Sequence, residues 1–353
     1  MKINMIVPFV NNTGGIQVVF KYADAFLGMG HDVVIYEPAI PYAFEWSGIK
    51  YPKRLMKVLI KGAFFKGYKP QWYDLKTPLK LVRKINDKSI READVTIATA
   101  WPTAYDVAKL PDKCGKKYYF IQHYEAWSGE KAKVDGSFKL GLKPVVIAGW
   151  LKDLLKKEFG ISDAIVVNNG IELNDFYPSL EKRYDNKKLK VLLLMHDAEF
   201  KGMKYGLDAF KKFIDAGYDA ELHLFGVSLT RDLPDYAKVH VACSKEELRK
   251  LYSEADIYLF PSLSEGWGLT VVEAMACKCA VCGTNVGCLL DLGKHKETAM
   301  ISGPKDVDAM VENMKALADD RKLLETVSWG GYEEAKKCSM EKANAAFENA
   351  IKA

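Results

Sequence analysis

Apolar positions along the chain form short runs that alternate with stretches of helical spacing. The first unit has an apolar run at residues 3–7, a polar loop, apolar positions at helical spacing over 16–26, and a second run at 32–36. This order predicts a β-α-β unit. Further strand-like runs follow at residues 94–97, 117–121, 144–147 and 165–167. Strands that recur between helix-compatible stretches favour a parallel sheet covered by helices.

A second series of the same kind follows the polar, aperiodic stretch at residues 179–188, which is the predicted linker. Its predicted strands are residues 189–195, 221–225, 256–260 and 280–282, and its predicted helices lie near 205–216, 245–254 and 269–277. The alanine-rich segment 333–353 has a helical pattern and no strand partner. We therefore predict domains at residues 1–180 and 189–332, followed by a C-terminal helix, 333–353, that packs back on the N-terminal domain.

The predicted fold class is α/β, with two doubly wound Rossmann-like domains that face a cleft. In such domains the carboxyl ends of the strands and the N-termini of the following helices form the ligand-binding edge. Helix N-termini present backbone N–H groups to anions. The fold therefore suits a phosphorylated ligand.

Composition limits the class of protein. The chain has 353 residues, of which 49% are hydrophobic and 27% charged, and this excludes disordered and collagen-like chains. No apolar run approaches the ~18 residues that span a bilayer. The apolar start ends at Asn11 and is too short for a signal peptide. We therefore expect a cytoplasmic protein.

The seven cysteines are an odd number in a long chain, which is typical of reduced, buried thiols rather than of a disulfide framework. Four of them cluster at Cys277, Cys279, Cys282 and Cys288. This spacing matches no common zinc pattern, and the neighbouring residues are apolar. We expect these side chains to pack in the core and no metal to be bound.

The net charge of +5 hides one strongly basic segment. Residues 50–84 contain eleven Lys or Arg and one acid, Asp74, together with apolar residues that include Trp72 and Tyr73. A cationic, amphipathic stretch suits attachment to an anionic membrane surface. The alternative is a solvated face. Nucleic-acid binding is less favoured because no recognition motif accompanies the charge, so we expect no nucleic-acid partner.

The segment 261–277 carries the most informative chemistry. Its two glutamates, Glu265 and Glu273, are separated by seven residues across a loop-to-helix junction. Glu273 is the only charged residue between Gly266 and Cys277, and a carboxylate on an apolar helix is costly unless donors such as ligand hydroxyls meet it. The alternative interpretation is that Glu273 reaches solvent and Glu265 caps a turn.

This segment resembles the E-x7-E signature of retaining glycosyltransferases of the two-domain GT-B fold, family 4 (glycosyl transferases group 1). Other parts of the chain match the family in the same order: a glycine loop at Gly14 and Gly15, a histidine after a later strand, His123, and the segment from Asn169 to Glu172. Each piece is short. Their order and spacing together carry the resemblance, which covers nearly the whole chain.

The resemblance implies a role for each matching residue. Glu273 would accept hydrogen bonds from the ribose of a nucleotide-diphosphate sugar, and Glu265 would face hydroxyls of the donor sugar. Lys201 matches the family lysine that neutralises the diphosphate, where departure of the leaving group places negative charge. Backbone groups that would add donors to the phosphates lie at Gly14, Gly15, Gly268, Leu269 and Thr270. The predicted catalytic residues are His123, Glu265 and Lys201.

Two histidines need separate interpretation. His196 stands five residues before Lys201, where the family usually carries Arg. A neutral imidazole offers one hydrogen-bond donor, whereas a guanidinium offers a permanent charge and several donors. We expect a bound diphosphate to raise the pKa of His196 above about 6.5, so that donor binding tightens as pH falls. The alternative is that His196 only ends a strand. His123 is expected to contact the donor sugar, although a lone histidine after a strand is more often a packing residue.

We predict a retaining glycosyltransferase that moves a sugar from a nucleotide-diphosphate donor to a glycan or lipid-linked acceptor. Residues 1–180 would be the acceptor-side domain and 189–332 the nucleotide-sugar-binding domain. No cofactor or metal is expected, and residues 50–84 would attach the protein peripherally to the inner face of a membrane. One alternative, favoured by His196, is a non-catalytic sugar-nucleotide or glycan-binding protein. An oxidoreductase is disfavoured because no G-x-G-x-x-G opens either domain.

Overall fold

The computed structural model describes residues 1–39, 42, 69–182, 184–229 and 233–352. The chain forms two compact units: Met1–Val167 together with Asn344–Ala353, and Asn168–Ala343. Each unit contains one parallel β-sheet with helices packed on it. The α/β class predicted from the alternating pattern is therefore confirmed.

In the described part of the first unit, the sheet has seven strands, and all neighbouring strands are parallel. The strands are β1 Lys2–Ile6, β2 Asp32–Pro38, β3 Leu79–Val82, β4 Val95–Ala98, β5 Lys116–Ile121, β6 Lys143–Val146 and β7 Ile165–Val166. Their order is β3-β2-β1-β4-β5-β6-β7, so it reverses between β1 and β4. The helices are α1 Gly14–Gly28, α2 Trp101–Ala108, α3 Lys131–Phe138 and α4 Gly149–Phe159, and Asp112–Cys114 forms a 3-10 turn. In open parallel sheets, ligands bind at the carboxyl ends of strands beside such a reversal.

The described residues of the second unit form a six-stranded parallel sheet in the order β10-β9-β8-β11-β12-β13. The strands are β8 Leu189–Leu194, β9 Ala220–Gly226, β10 Lys238–Val241, β11 Ile257–Phe260, β12 Ala280–Thr284 and β13 Met300–Ser302. The helices are α5 Met203–Asp215, α6 Lys245–Glu254, α7 Leu269–Ala276, α8 Leu289–Leu292, α9 Val307–Asp319 and α10 Arg321–Ala335, and Glu199–Lys201 forms a 3-10 turn. A last helix, α11 Met340–Lys352, begins in the second unit and continues into the first. The order reverses between β8 and β11.

Apolar runs form the inner strands because both faces of a parallel sheet are covered. All four residues of β4 and all four of β11 are buried. The edge strand β10, in contrast, exposes Lys238, Val239 and Val241. A polar residue inside the sheet has a partner, since Asn4 on β1 donates to Thr96 Oγ1 on β4 at 3.3 Å.

The apolar pattern does not predict three of the described strands, β3, β10 and β13. Each has four residues or fewer and mixes Lys, His or Ser with apolar side chains. They pair with β2, β9 and β12, respectively. Runs this short become strands because a preformed neighbour offers its hydrogen-bonding edge, which is a tertiary effect.

The polar stretch at residues 179–188 does not lie between the two units, contrary to its interpretation as a linker. It belongs to the second unit, and the division falls earlier in the chain. Ser179 contacts Ser253 Oγ through its backbone N at 3.1 Å and its Oγ at 3.0 Å. Asn186 donates to Asp256 Oδ1 at 3.0 Å. The aperiodic polar side chains thus bind a neighbouring surface.

The C-terminal segment 333–353 forms the end of α10 and the separate helix α11 rather than one helix. The chain between them includes Ser339, which pairs with Ile171 in a parallel bridge. The last part of α11 belongs to the first unit, where the rings of Phe347 and Phe120 lie 4.8 Å apart. A bridge to a distant residue therefore ends one helix and starts the next.

The clustered cysteines lie in the core, as their apolar surroundings predict. Cys277, Cys279, Cys282 and Cys288 are buried and not disulfide-bonded. Burial raises the pKa of Cys282 to about 12. These thiols therefore stay protonated at neutral pH and act as small apolar side chains.

The basic segment is only partly covered, because residues 50–68 lie outside the described residues. Two of its aromatic residues pack inward: Trp72 stacks on Phe20 of α1 at 5.6 Å, and Tyr73 contacts the same ring at 5.4 Å. These two side chains therefore serve packing in the first unit. Among the described helices, none combines the length and apolar character needed to cross a bilayer.

Candidate functional site

In the first unit, the glycine loop and the histidine segment meet at the carboxyl edge of the sheet. Gly14 and Gly15 open α1, directly after the loop that follows β1. Gln122, the first residue after β5, donates from Nε2 to the carbonyl oxygen of Gly15 at 3.2 Å. A Cβ added at Gly15 would lie 3.6 Å from the Gln122 amide. The loop after β1 therefore lies next to Gln122, the residue before His123.

His123 lies among aromatic side chains. Its ring meets the indole of Trp127 edge-on at 4.4 Å and that of Trp150 at 5.7 Å. Trp127 comes from the same loop and is 54% exposed, whereas Trp150 comes from the start of α4. The sequence pattern did not point to either tryptophan. The arrangement holds the imidazole by packing at the end of a strand.

In the second unit, two predicted site residues form an ion pair. Lys201 Nζ lies 2.8 Å from Glu265 Oε1 and 3.0 Å from Oε2. The Glu265 side chain is only 9% exposed and that of Lys201 21%. Ser262 Oγ adds a hydrogen bond to Glu265 Oε1 at 2.9 Å. A buried carboxylate is thus balanced by a cation and a hydroxyl donor, which offsets the cost of removing its charge from water.

A glycine allows the turn that carries Lys201 to reach the loop that carries Glu265. Gly202 ends the 3-10 turn with φ +66°. A Cβ at this position would lie 2.0 Å from the carbonyl oxygen of Pro261. The backbone N–H of Leu263 donates to the carbonyl of Phe200 at 2.7 Å. Close backbone approach therefore sets the distance between Lys201 and Glu265.

His196 follows β8 and lies beside the ion pair. Its Nδ1 accepts a hydrogen bond from the backbone N–H of Ala198 at 2.9 Å. Burial and the nearby positive charge of Lys201 lower the pKa of His196, against the smaller opposite effects of Asp197 and Glu265. Both the hydrogen bond and the charge favour the neutral ring. The proton then sits on Nε2, so the free chain offers one imidazole donor here.

The predicted phosphate-binding backbone lies at the start of α7. Gly268 precedes the helix with φ +95°, a conformation that L side chains rarely adopt. Leu269 and Thr270 form the first turn, whose N–H groups have no partner within the helix itself. Thr270 Oγ1 accepts a hydrogen bond from Tyr258 Oη at 2.9 Å. The Thr270 hydroxyl is therefore held by the protein, and the backbone N–H groups form the anion-facing part of this turn.

Glu273 has a protein partner, which neither sequence interpretation included. The side chain is partly buried on α7, and Tyr252 Oη donates to Glu273 Oε2 at 3.3 Å. Burial first, and then the charge of Glu273, raise the pKa of Tyr252 well above its ordinary value. Tyr252 therefore remains a donor at every physiological pH.

The two glutamates share an environment through Tyr258. Burial raises the pKa of this tyrosine, and the charges of Glu265 and Glu273 raise it further, against the Thr270 hydrogen bond. The fold thus places Glu265, Thr270 and Glu273 around one buried phenol. It brings Lys201 and His196 to Glu265, while Gly14, Gly15 and His123 gather in the first unit.

A single Asp-x-Asp sequence, Asp306 and Asp308, has structural roles. Asp306 Oδ1 caps α9 by accepting the Ala309 N–H at 3.0 Å, and Asp308 pairs with Lys212 at 2.7 Å. Within the described residues, no group of three or more His, Cys, Asp or Glu side chains is placed to hold a metal ion. The expectation of metal-independent chemistry remains a prediction.

The chain resembles known proteins in sequence and in fold. Residues 179–334 match the family described as glycosyl transferases group 1. The capsular polysaccharide biosynthesis glycosyltransferase CapM of Staphylococcus aureus is 26% identical over 179 residues, which are 46% of this chain and 47% of CapM. The chain spans about half the length of the curated relatives it matches, or less.

Solved structures match the whole chain. HepE of Anabaena, in complex with UDP, has a TM-score of 0.76 at 12% identity, with 100% of both chains covered. A mutant of S. aureus TarM, in complex with fondaparinux, α-GlcNAc-glycerol and UDP, has a TM-score of 0.71 at 12% identity, again covering 100% of both chains. At this identity the likeness concerns the fold alone, which is GT-B, as the resemblance implies.

The close approach at Gly202 generates the first prediction. Gly202→Ala should destabilise the second unit by about 1–2 kcal/mol for the left-handed backbone plus about 1–3 kcal/mol for the clash with Pro261. Gly217→Ala is the matched control, because Gly217 has φ +93° and no atom within 4 Å of an added Cβ. Urea unfolding of the full chain measures both. Equal losses would show that the contact with Pro261 does not constrain the turn.

Proposed function

We propose that this protein transfers a sugar from a nucleotide-diphosphate donor to a glycan or lipid-linked acceptor, with retention of anomeric configuration, because residues 179–334 match the family described as glycosyl transferases group 1. The observation that carries the proposal is the Lys201–Glu265 pair, next to His196 and the glycine turn of α7. A cation, an imidazole donor and free N–H groups at one sheet edge suit a diphosphate. Carboxylates beside them suit sugar hydroxyls.

In the proposed reaction, Lys201 exchanges partners when the donor binds. The free chain holds its ammonium on Glu265 at 2.8 and 3.0 Å. A diphosphate carries more negative charge than one carboxylate and attracts the same cation. As Lys201 turns to the phosphates, Glu265 gains acceptor capacity for hydroxyls of the donor sugar. Lys201 then stabilises the charge that develops on the leaving phosphate.

Glu273 would bind the ribose with Tyr252 behind it. Tyr252 donates to Oε2, and the ribose hydroxyls would donate to the same carboxylate. The hydrogen bond to Tyr252 orients the carboxylate before the donor arrives, which reduces the entropy lost on binding. Gly14, Gly15 and His123 keep their predicted role as donor contacts.

We propose UDP as the first nucleotide to test, because both HepE and TarM are described in complex with it. A thermal-shift screen with UDP, GDP, ADP and dTDP tests the base, since a ligand at 100 times its dissociation constant adds about 2.7 kcal/mol of stability. The alternative, a non-catalytic sugar-nucleotide binder, would show the shift without turnover. Release of nucleotide from a sugar donor panel separates the two.

The second prediction separates the roles of the two glutamates. Glu273→Gln should weaken nucleotide binding about tenfold or more, because a hydrogen bond to a charged group contributes about 1.5–3 kcal/mol. Glu265→Gln should bind the nucleotide at least as tightly, since Lys201 no longer has a competing carboxylate, while transfer slows. Calorimetry and initial rates measure the two effects. Glutamine keeps an acceptor for Tyr252 and for Ser262, so both variants should remain folded. Unchanged nucleotide affinity in Glu273→Gln would remove Glu273 from the ribose.

The third prediction concerns His196. Burial and the charge of Lys201 hold its pKa low in the free chain, and a bound diphosphate should raise it, so donor binding takes up protons. Affinity for a nucleotide sugar should therefore increase as pH falls from about 8 to about 6. His196→Arg should bind at least as well and lose this slope. A flat wild-type profile, or the same slope in the Arg variant, would show that His196 only ends its strand.

We also propose that the basic segment attaches the first unit to anionic membranes. The end of this segment and the residues that follow it form a concave surface of about 450 Å³, lined by Arg83, Lys84, Asn86, Lys88 and Ser89. Asn86 Oδ1 accepts the backbone N–H groups of Lys88 and Ser89 at 3.1 Å each, which holds the loop in shape. Within the described residues, no ion pair involves Arg83, Lys84 or Lys88. A concave surface that carries these positive charges suits the binding of phosphate headgroups.

The fourth prediction tests this attachment. Changing Arg83, Lys84 and Lys88 to Gln should weaken sedimentation with phosphatidylglycerol vesicles, since each basic residue contributes about 1 kcal/mol. Salt should weaken wild-type binding, because the screening length falls from about 10 Å at 0.1 M to about 3 Å at 1 M. The matched control changes the exposed residues Lys113, Lys156 and Lys157 to Gln. Equal losses in both triple variants would leave only the solvated-face interpretation.

A further inference from the structure

The loop at residues 122–130 joins β5 to α3 and lies at the carboxyl edge of the first sheet, where ligands bind in folds of this kind. It places one large apolar side chain in solvent, because Trp127 is 54% exposed. In the described part of the first unit, the only other large apolar side chain that is similarly exposed is Met29, at 41%. Met29 follows the C-terminus of α1 and therefore lies at the opposite edge of the sheet. Trp127 is thus an isolated exposed indole rather than part of a broad apolar surface.

Hydrogen bonds restrain this loop. Ser128 Oγ accepts the Trp101 Nε1–H at 2.9 Å, and this bond is buried. The carbonyl oxygen of Glu125 accepts the backbone N–H of Ser128 at 2.9 Å and its Oγ–H at 2.8 Å. A Cβ added at Gly129 would lie 2.5 Å from the Trp101 ring, so the chain passes directly against that indole. Trp127 is therefore exposed between residues that the fold holds in place.

The surroundings of the Trp127 indole are polar apart from one ring. The His123 imidazole lies with its centroid 4.4 Å from that of the indole, and the two planes cross at 86°. No described residue accepts a hydrogen bond from the Trp127 Nε1–H. The next four residues, 128–131, include no apolar side chain. A flat apolar face, an N–H donor and polar neighbours are therefore presented together.

These features fit one sugar ring better than they fit a membrane or a protein partner. The face of an indole carries partial negative charge, which attracts the C–H groups on one face of a pyranose ring. The indole N–H can donate to a sugar hydroxyl. Contacts with proteins and membranes are marked by contiguous apolar patches larger than a few hundred Å². A single indole among polar side chains matches the size and the mixed polarity of one sugar instead.

We propose that Trp127 is a binding platform for a sugar ring of the acceptor, which stacks on the indole beside His123. Because the loop is already restrained, little conformational freedom is lost when the ring binds. His123 is expected to contact the donor sugar, so a ring stacked on Trp127 would lie next to the sugar that is transferred. The assignment of the stacked ring to the acceptor rests on the proposed function, whereas the binding of a sugar to Trp127 does not.

The first experiment measures sugar binding without any activity. The probes are the methyl glycosides of glucose, galactose, mannose and N-acetylglucosamine, titrated into the full chain. At least one should shift the Trp127 emission to shorter wavelength and protect it from quenching by acrylamide. The difference between the wild type and Trp127→Phe isolates this signal from the other tryptophans. Saturation-transfer NMR should show stronger transfer to the C–H groups on one face of that glycoside. No response to any of the four probes overturns the inference.

Variants separate stacking from the burial of any apolar side chain. Trp127→Leu keeps apolar volume without an aromatic face and should weaken glycoside binding about three- to tenfold, whereas Trp127→Phe should keep part of the affinity. The matched control is Trp329→Leu, which should leave binding unchanged, because Trp329 is 42% exposed and lies on α10 in the second unit. Thermal unfolding checks that all three variants fold. Equal losses in the two Leu variants, or undiminished binding in Trp127→Leu, contradict the platform.

The second experiment separates acceptor binding from the placement of His123. Trp127→Leu should raise the KM for the acceptor about three- to tenfold, while the KM for the donor and the rate of donor hydrolysis in water stay near those of the wild type. Slower donor hydrolysis with an unchanged acceptor KM would show that Trp127 acts through His123, which overturns the inference. If glycosides bind at Trp127 and no donor supports transfer, the proposed function fails while the sugar site stands. Transfer without glycoside binding at Trp127 removes the inference and leaves the proposed function intact.

Discussion

Both sheets are parallel and buried on both faces, and this constraint decides where polar chemistry can lie. Strands such as β4 and β11 have no exposed residue, so polar side chains collect where strands end and loops begin. His196 follows β8, Glu265 follows β11, and His123 follows β5. These three residues are far apart in sequence, yet each lies in a segment that follows the carboxyl end of a strand. The folds of HepE and TarM show the same GT-B architecture.

Within the second unit, charge is balanced before any ligand arrives. The Glu265 carboxylate is 9% exposed and takes Lys201 and Ser262 as partners, and Tyr252 donates to Glu273. Lys201 in turn helps to keep His196 neutral. A polyanion bound here would compete with Glu265 for the Lys201 ammonium and would favour protonation of the His196 ring. Under the proposed function, donor binding and protonation of His196 would be coupled through electrostatics.

In the first unit, burial raises the pKa of Glu125, which lies in the loop after β5. Glu125 has an N–H donor and no described cation, so burial sets its pKa near 7. Nothing in its sequence neighbourhood, between Tyr124 and Ala126, distinguishes this glutamate from a solvated loop residue. Likewise, Lys201 donates to Glu265 from 64 residues away, and Tyr252 donates to Glu273 from a different helix. Such partners are invisible to spacing because they depend on which surfaces pack together.

Apolar periodicity by itself determined the strand and helix series, the α/β class and the burial of the clustered cysteines, since these depend on local pattern and on the covering of both sheet faces. The E-x7-E spacing and the glycine loop indicated the candidate site. Only the tertiary structure decided that Lys201 meets Glu265 across 64 residues, that the polar stretch 179–188 packs on the second unit, and that α11 is separate from α10. Short strands such as β10, the partners of charged groups and the pKa of Glu125 all arise from contacts between distant segments. Periodicity and spacing along the chain carry no information about those contacts.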